Sequence, residues 1–213
     1  MAFILKIITA ISFALLGSFW GNRWITKLYR QKQEILTFPH QAFSQAQKRP
    51  LYLVASLGIL FTFWLLFSPT TVPITISHLL FIYFLILFTI TDCEQQVIFD
   101  VMLIPFALFG LFSLLLNGLP LFDHLIAALG GGALFLLLTF LTHGGIGGGD
   151  IKLIAALGLW LGIHQLADVI TMGLIAGGIG AFLLLKFKHK KKTDTFAYGP
   201  YFTITAILML FLK

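Results

Sequence analysis

The sequence holds one cysteine, Cys93, in 213 residues. That count excludes an intramolecular disulfide and a cysteine-based zinc site. Charge is scarce as well: Asp, Glu, Lys and Arg make up 10% of the chain, against 59% in the hydrophobic set. A soluble domain could not cover so much apolar surface with so few charges, and a mean hydropathy of +0.98 makes the bilayer part of the solvent. Internal repeats and low-complexity linkers are also missing. An ion-coupled transporter built from inverted halves is disfavoured by that lack of symmetry.

What the chain does contain is apolar runs. Eight candidate spans lie at about 3–17, 51–67, 76–90, 97–116, 125–141, 151–162, 166–185 and 198–212. Several approach the roughly 20 residues that cross about 30 Å of hydrocarbon as helix. The expected fold class is all-α, a polytopic integral membrane protein of about eight transmembrane helices in a single domain, 1–213. The first run resembles a secretory signal, but the spans behind it favour a retained first transmembrane helix. The run at 151–162 is short for a crossing and reads as tilted or partly re-entrant.

The formal charge of +6 points to topology and not to nucleic acid, because the cations sit between spans. Arg23, Lys27, Arg30, Lys32, Lys48 and Arg49 follow the first span, and Lys186, Lys188, Lys190, Lys191 and Lys192 follow the seventh. Alternating crossings put both groups on one side with 92–96 and 143–150, and that side is expected to be cytoplasmic, with both termini external. The stretch 21–50 is too short for a core of its own. It reads as helix and loop on the membrane surface, its cations near anionic lipid.

With so few ionisable groups, a carboxylate at a span end is a functional candidate. Asp92 closes the third span, where it is either a wetted helix-end group or a site residue. Asp150 closes Gly144-Gly145-Ile146-Gly147-Gly148-Gly149-Asp150 and opens an apolar helix. Capping would account for an aspartate there, but not for the glycines, which mark close backbone approach or unusual dihedrals. A phosphate loop would need lysine directly after the last glycine, and this chain has Asp150-Ile151-Lys152. Two carboxylates brought together in a low-dielectric site cannot both ionise, so one acts as base while the other keeps its proton. That pair can activate a water against a peptide carbonyl, and no serine, histidine or metal constellation competes with it.

Asp100 reads as a supporting group, with Asp92 ahead of it as the catalytic candidate. Lys152 reads as an interface anchor, His143 as a solvated loop residue, and Asp168 as wetted at the external end of its span. Asp123, Glu34, Glu94 and Asp194 are expected in loops, without a role. Gly130, Gly131, Gly132, Gly173, Gly177, Gly178 and Gly180 are expected to allow close helix packing.

These motifs carry a resemblance. Gly147-Gly148-Gly149-Asp150 fits GxGD, and Ile151-Lys152-Leu153, Ala155-Ala156-Leu157-Gly158 and Trp160-Leu161-Gly162 continue it as in the type IV prepilin peptidases. Asp92 and Asp100 resemble that family's aspartate followed by I-P-D/N, with Phe99 in place of the proline. Tyr198-Gly199-Pro200-Tyr201 is similar to its P-F-G-P segment, and Gly17-Ser18-Phe19 and Phe38-Pro39 align with its amino-terminal region.

The resemblance implies a membrane aspartic endopeptidase with Asp92 and Asp150 catalytic. Gly147, Gly148 and Gly149 would face the substrate, and Asp100, Lys152, Gly199 and Pro200 would support the site. Its substrates would be prepilins or pseudopilins, cut on the cytoplasmic side of a bacterial cell membrane, after a glycine and before the hydrophobic helix. Proteolysis would need no cofactor and no metal. Many relatives also carry two CxxC pairs in the first cytoplasmic loop and methylate the new amino terminus; 21–50 has no cysteine, so S-adenosylmethionine is required only if methyl transfer is retained. A shortened loop of this kind is similar to variants in Gram-positive competence and pilus systems.

Overall fold

The computed structural model describes residues 2–68, 71–187 and 197–212. These are helices and short connections, with no strand among the described residues. The molecule is an all-helical, polytopic membrane protein: five helices are long and apolar enough to cross a bilayer, and two shorter apolar helices accompany them. Lys188, Lys190, Lys191, Lys192 and Asp194 lie outside the described residues. Backbone contacts divide the chain into two compact units, Met1–Val97 and Ile98–Lys213.

In the first unit, α1 (Ala2–Gln31) packs against α2 (Ala42–Phe67), and α2 against α3 (Val72–Gln95). Two of these helices outrun their apolar runs. Helix α1 continues through polar residues after Gly17 because no breaker interrupts them, and α2 begins before Pro50, which stands inside the helix. The expected surface subdomain at 21–50 therefore reduces to a short connection carrying two 3₁₀ turns, Gln33–Ile35 and Pro39–Gln41. The α1–α2 seam buries Ala10, Ala14, Leu53 and Leu57, and Ser18 donates to the Pro50 carbonyl at 3.1 Å. Phe3, Leu15, Trp20 and Ile59 are more than half exposed, a surface that suits hydrocarbon and would aggregate in water.

The second unit contains α4 (Asp100–Leu116), α5 (Leu121–Leu141), α6 (Gly148–Phe187) and α7 (Gly199–Phe211). Helix α6 is interrupted at Gly162, with φ 72° and ψ 179°, a region essentially reserved for glycine. The break coincides with the expected boundary between the sixth and seventh runs, and the packing shows that the chain folds back there. Helix α5 runs antiparallel to the first segment of α6, Gly158 meeting Ala128 and Gly132 meeting Ala155. By that register Phe135 stands level with residue 151. Phe135 packs on Phe202 of α7, ring centroids 5.4 Å apart, and Phe202 lies on Gly173 of the second segment. Gly173 therefore returns to the depth of residue 151, which an unbroken helix with a 1.5 Å rise would not allow.

Two expectations are corrected here. Asp123 is in the first turn of α5, not a loop, and its Oδ2 accepts the Ile163 amide at 3.1 Å, capping the second segment of α6. Of the packing glycines, Gly130 and Gly178 face open space, while Gly131, Gly132, Gly173, Gly177 and Gly180 meet neighbouring side chains.

Candidate active site

Asp92 lies in the last turn of α3, with 6% exposure. The helix ends because Gln96 turns left-handed, φ 53°, its amide donating to the Asp92 carbonyl at 2.9 Å. Beyond the carboxylate the turn is tied down by its own polar residues. Glu94 is not an idle loop residue: its carboxylate forms a salt bridge of 2.7 Å with Arg49 Nη2 and accepts the Tyr29 hydroxyl at 2.9 Å. Arg49, counted among the topology cations, is fully buried.

Asp150 sits at the opposite kind of helix end, in the first turn of α6. Its amide and that of Ile151 donate to the Gly147 carbonyl at 3.0 and 3.3 Å. The preceding loop leaves α5 through a Schellman arrangement. His143 is left-handed, φ 53°, and the His143 and Gly144 amides donate to the carbonyls of Phe140 and Thr139. The three glycines nearest Asp150 are not demanded by that turn, since none has a left-handed φ. A Cβ on Gly148 would meet nothing within 4 Å, one on Gly147 only the Asp150 carboxylate, and one on Gly149 the Ile98 side chain at 3.2 Å.

The other expected residues gather at the same end of the second unit. Lys152 Nζ reaches both oxygens of Asp100 at 2.8 Å, so Lys152 is paired and is not a lone anchor. Helix α4 runs parallel to the first segment of α6, as Trp160 Nε1 donates to the Phe106 carbonyl at 2.9 Å. Gly199 and Pro200 begin α7, one turn from Phe202, and their carbonyls each accept the Thr203 hydroxyl at 3.0 Å. The amino termini of α4, α6 and α7 thus share one end, carrying Asp100, Asp150 and Lys152 with Gly199 and Pro200. Asp92 belongs to the first unit.

Residues 79–185 match the type IV leader peptidase family. That match takes in Asp92, Asp100, the whole glycine run and Asp150, and it extends over half of the chain. The chain belongs to the type IV leader peptidase family. It is similar to the prepilin leader peptidase/N-methyltransferase of Neisseria gonorrhoeae, 36% identical over 140 residues, 62% of this chain and 47% of the relative. The protein of that name in Bacillus subtilis strain 168 is 35% identical over 144 residues, 66% of this chain and 54% of the relative. In Aeromonas salmonicida strain A449 the figures are 32% over 142 residues, 64% and 49%. The chain spans about half the length of these curated relatives. No solved structure matches it.

Sequence reasoning missed Arg49, Glu94 and Tyr29. A faint trace existed in the spacing of Asn22, Thr26 and Tyr29, which share one face of α1, but only packing tells which cation they meet.

Proposed function

We propose that this leader peptidase family member is an aspartic endopeptidase of the bacterial cell membrane, with Asp92 and Asp150 as its two acting carboxyl groups. The observation that carries the reading is the glycine run beside Asp150. The fold requires no glycine at Gly147 or Gly148, so the bare backbone there is explained by what lies against it, an extended peptide segment. A helical substrate would bury its own carbonyls, so the scissile region enters unwound.

The reading treats the pair as one site: one carboxylate takes a proton from water as the other, protonated, hydrogen-bonds the scissile carbonyl oxygen. The resulting hydroxyl adds to the carbonyl carbon, and collapse of the tetrahedral species expels the amine with a proton from the dyad. Substrates on this reading are type IV prepilins or pseudopilins, cut on the cytoplasmic side after a glycine and ahead of the hydrophobic helix. Methylation of the new amino terminus would be a separate activity, and S-adenosylmethionine enters only if that activity is retained.

The test is cleavage of a co-expressed prepilin by the wild type, Asp92→Asn and Asp150→Asn at matched membrane levels. Loss of the shortened product in both variants supports the dyad. Wild-type cleavage by either one removes that residue from the mechanism.

A further inference from the structure

Arg49 is the largest side chain wholly removed from solvent among the described residues, and the chemistry above gives it no task. Taking a guanidinium out of water is costly unless its donors are matched, and here they are. Nε and Nη2 reach the Glu94 carboxylate at 2.7 to 3.1 Å, the two-pronged geometry arginine favours. Nη1 donates to Asn22 Oδ1 and to Thr26 Oγ1, each at 3.1 Å. The ring of Tyr29 lies 4.8 Å from the guanidinium carbon, and its hydroxyl completes the Glu94 carboxylate.

The neighbouring residue is held just as firmly. Gln95 is buried; its amide accepts the Phe38 N–H at 2.8 Å and donates to the Phe38 carbonyl at 3.0 Å and to Gln45 Oε1 at 2.6 Å. Gln45 in turn donates to the Glu94 carbonyl at 3.0 Å. The final turn of α3 is thereby fastened to α1, to α2 and to the connection between them, within two or three residues of Asp92. Its other helix-end neighbour, Cys93, is exposed and unused.

We infer that the Arg49–Glu94 pair, completed by Tyr29, is a positioning clamp that fixes the last turn of α3 and so the direction of the Asp92 carboxyl group. The inference rests on reading Asp92 as one of the two acting carboxyls. A helix end is normally the part that frays, whereas a reacting carboxylate displaced by about 1 Å forfeits on the order of a hundredfold in rate. The buried pair supplies rigidity that end-of-helix hydrogen bonds alone do not provide.

Cys93, the sole cysteine, allows a direct test in the full chain. A nitroxide attached to it reports the mobility of that turn by electron paramagnetic resonance, alongside kcat and KM for prepilin cleavage per folded molecule. The variants are Arg49→Met with Glu94→Leu, which removes the pair without stranding a charge, Tyr29→Phe, and Asp92→Asn.

The clamp predicts that the double variant, when folded, mobilises the label and lowers kcat by about tenfold or more, with KM within twofold. Tyr29→Phe gives a smaller change of the same kind and serves as the deciding variant if the double one does not fold. Wild-type kcat in the folded double variant, or in Tyr29→Phe when that decides, overturns the clamp, as does a lost kcat with an unaltered label. Undiminished cleavage by Asp92→Asn instead overturns the dyad reading, and any catalytic role for the clamp with it.

Discussion

Lys152 Nζ stands 2.8 Å from both carboxylate oxygens of Asp100, joining the starts of α6 and α4, and both side chains are more than half exposed. An exposed pair of this kind contributes at most about 1 kcal/mol. Asp100→Asn and Lys152→Met should therefore shift the thermal midpoint in detergent by no more than a few degrees. Asp100→Asn should also retain prepilin cleavage, whereas a collapse to the level of Asp92→Asn would move Asp100 into the acting pair.

A second prediction concerns the seam between α5 and α6. A Cβ on Gly158 would lie 2.5 Å from the Ala128 amide nitrogen and Cα, both backbone atoms that cannot swing aside. Gly158→Val should destabilise by about 1–3 kcal/mol through overpacking. Gly130→Ala, where the Cβ meets open space, should leave the midpoint unchanged or raise it. Equal effects at the two positions would show that the register of α5 on α6 is wrong.

The reversal at Gly162 should be equally sensitive. With φ at 72°, an L side chain is strained by about 1–3 kcal/mol, and the Asp123 carboxylate already occupies the direction a Cβ would take. Gly162→Ala should lower the midpoint clearly. Asp123→Ala, which uncaps the Ile163 amide, should cost about 0.5–2 kcal/mol. Thermal denaturation of the two variants in one detergent checks both, and a neutral Gly162→Ala would refute the backbone described at the break.

Gly148 separates folding from function. Gly148→Ala adds a methyl group to open space on a helical backbone, so its thermal midpoint should match the wild type. If the substrate backbone lies against the glycine run, cleavage should fall by roughly tenfold through misplacement of the peptide, with the loss expressed mainly in KM. Wild-type KM and kcat together would mean that the run is not a peptide-binding surface.

The sequence by itself determined the solvent, the helical class and the positions of the apolar runs, and it singled out Asp92 and Asp150 as candidates. Hydropathy is a local property, and a glycine run ending in a carboxylate stands out against a chain with few charges. Even the break between the sixth and seventh runs was legible, because polarity and glycine concentrate there.

Helix ends were less legible: α1 and α2 extend well into polar sequence, α2 even with Pro50 inside it, because packing can override local helix-breaking signals. Only the tertiary structure decided the return of α6 beneath Phe202, the capping of Ile163 by Asp123 and the burial of Arg49 against Glu94. Those two residues lie 45 positions apart, and their types are the ones that composition assigns to the surface. Burial of a charge depends on which partners the fold delivers to it, and that is a property of packing, not of any stretch of sequence.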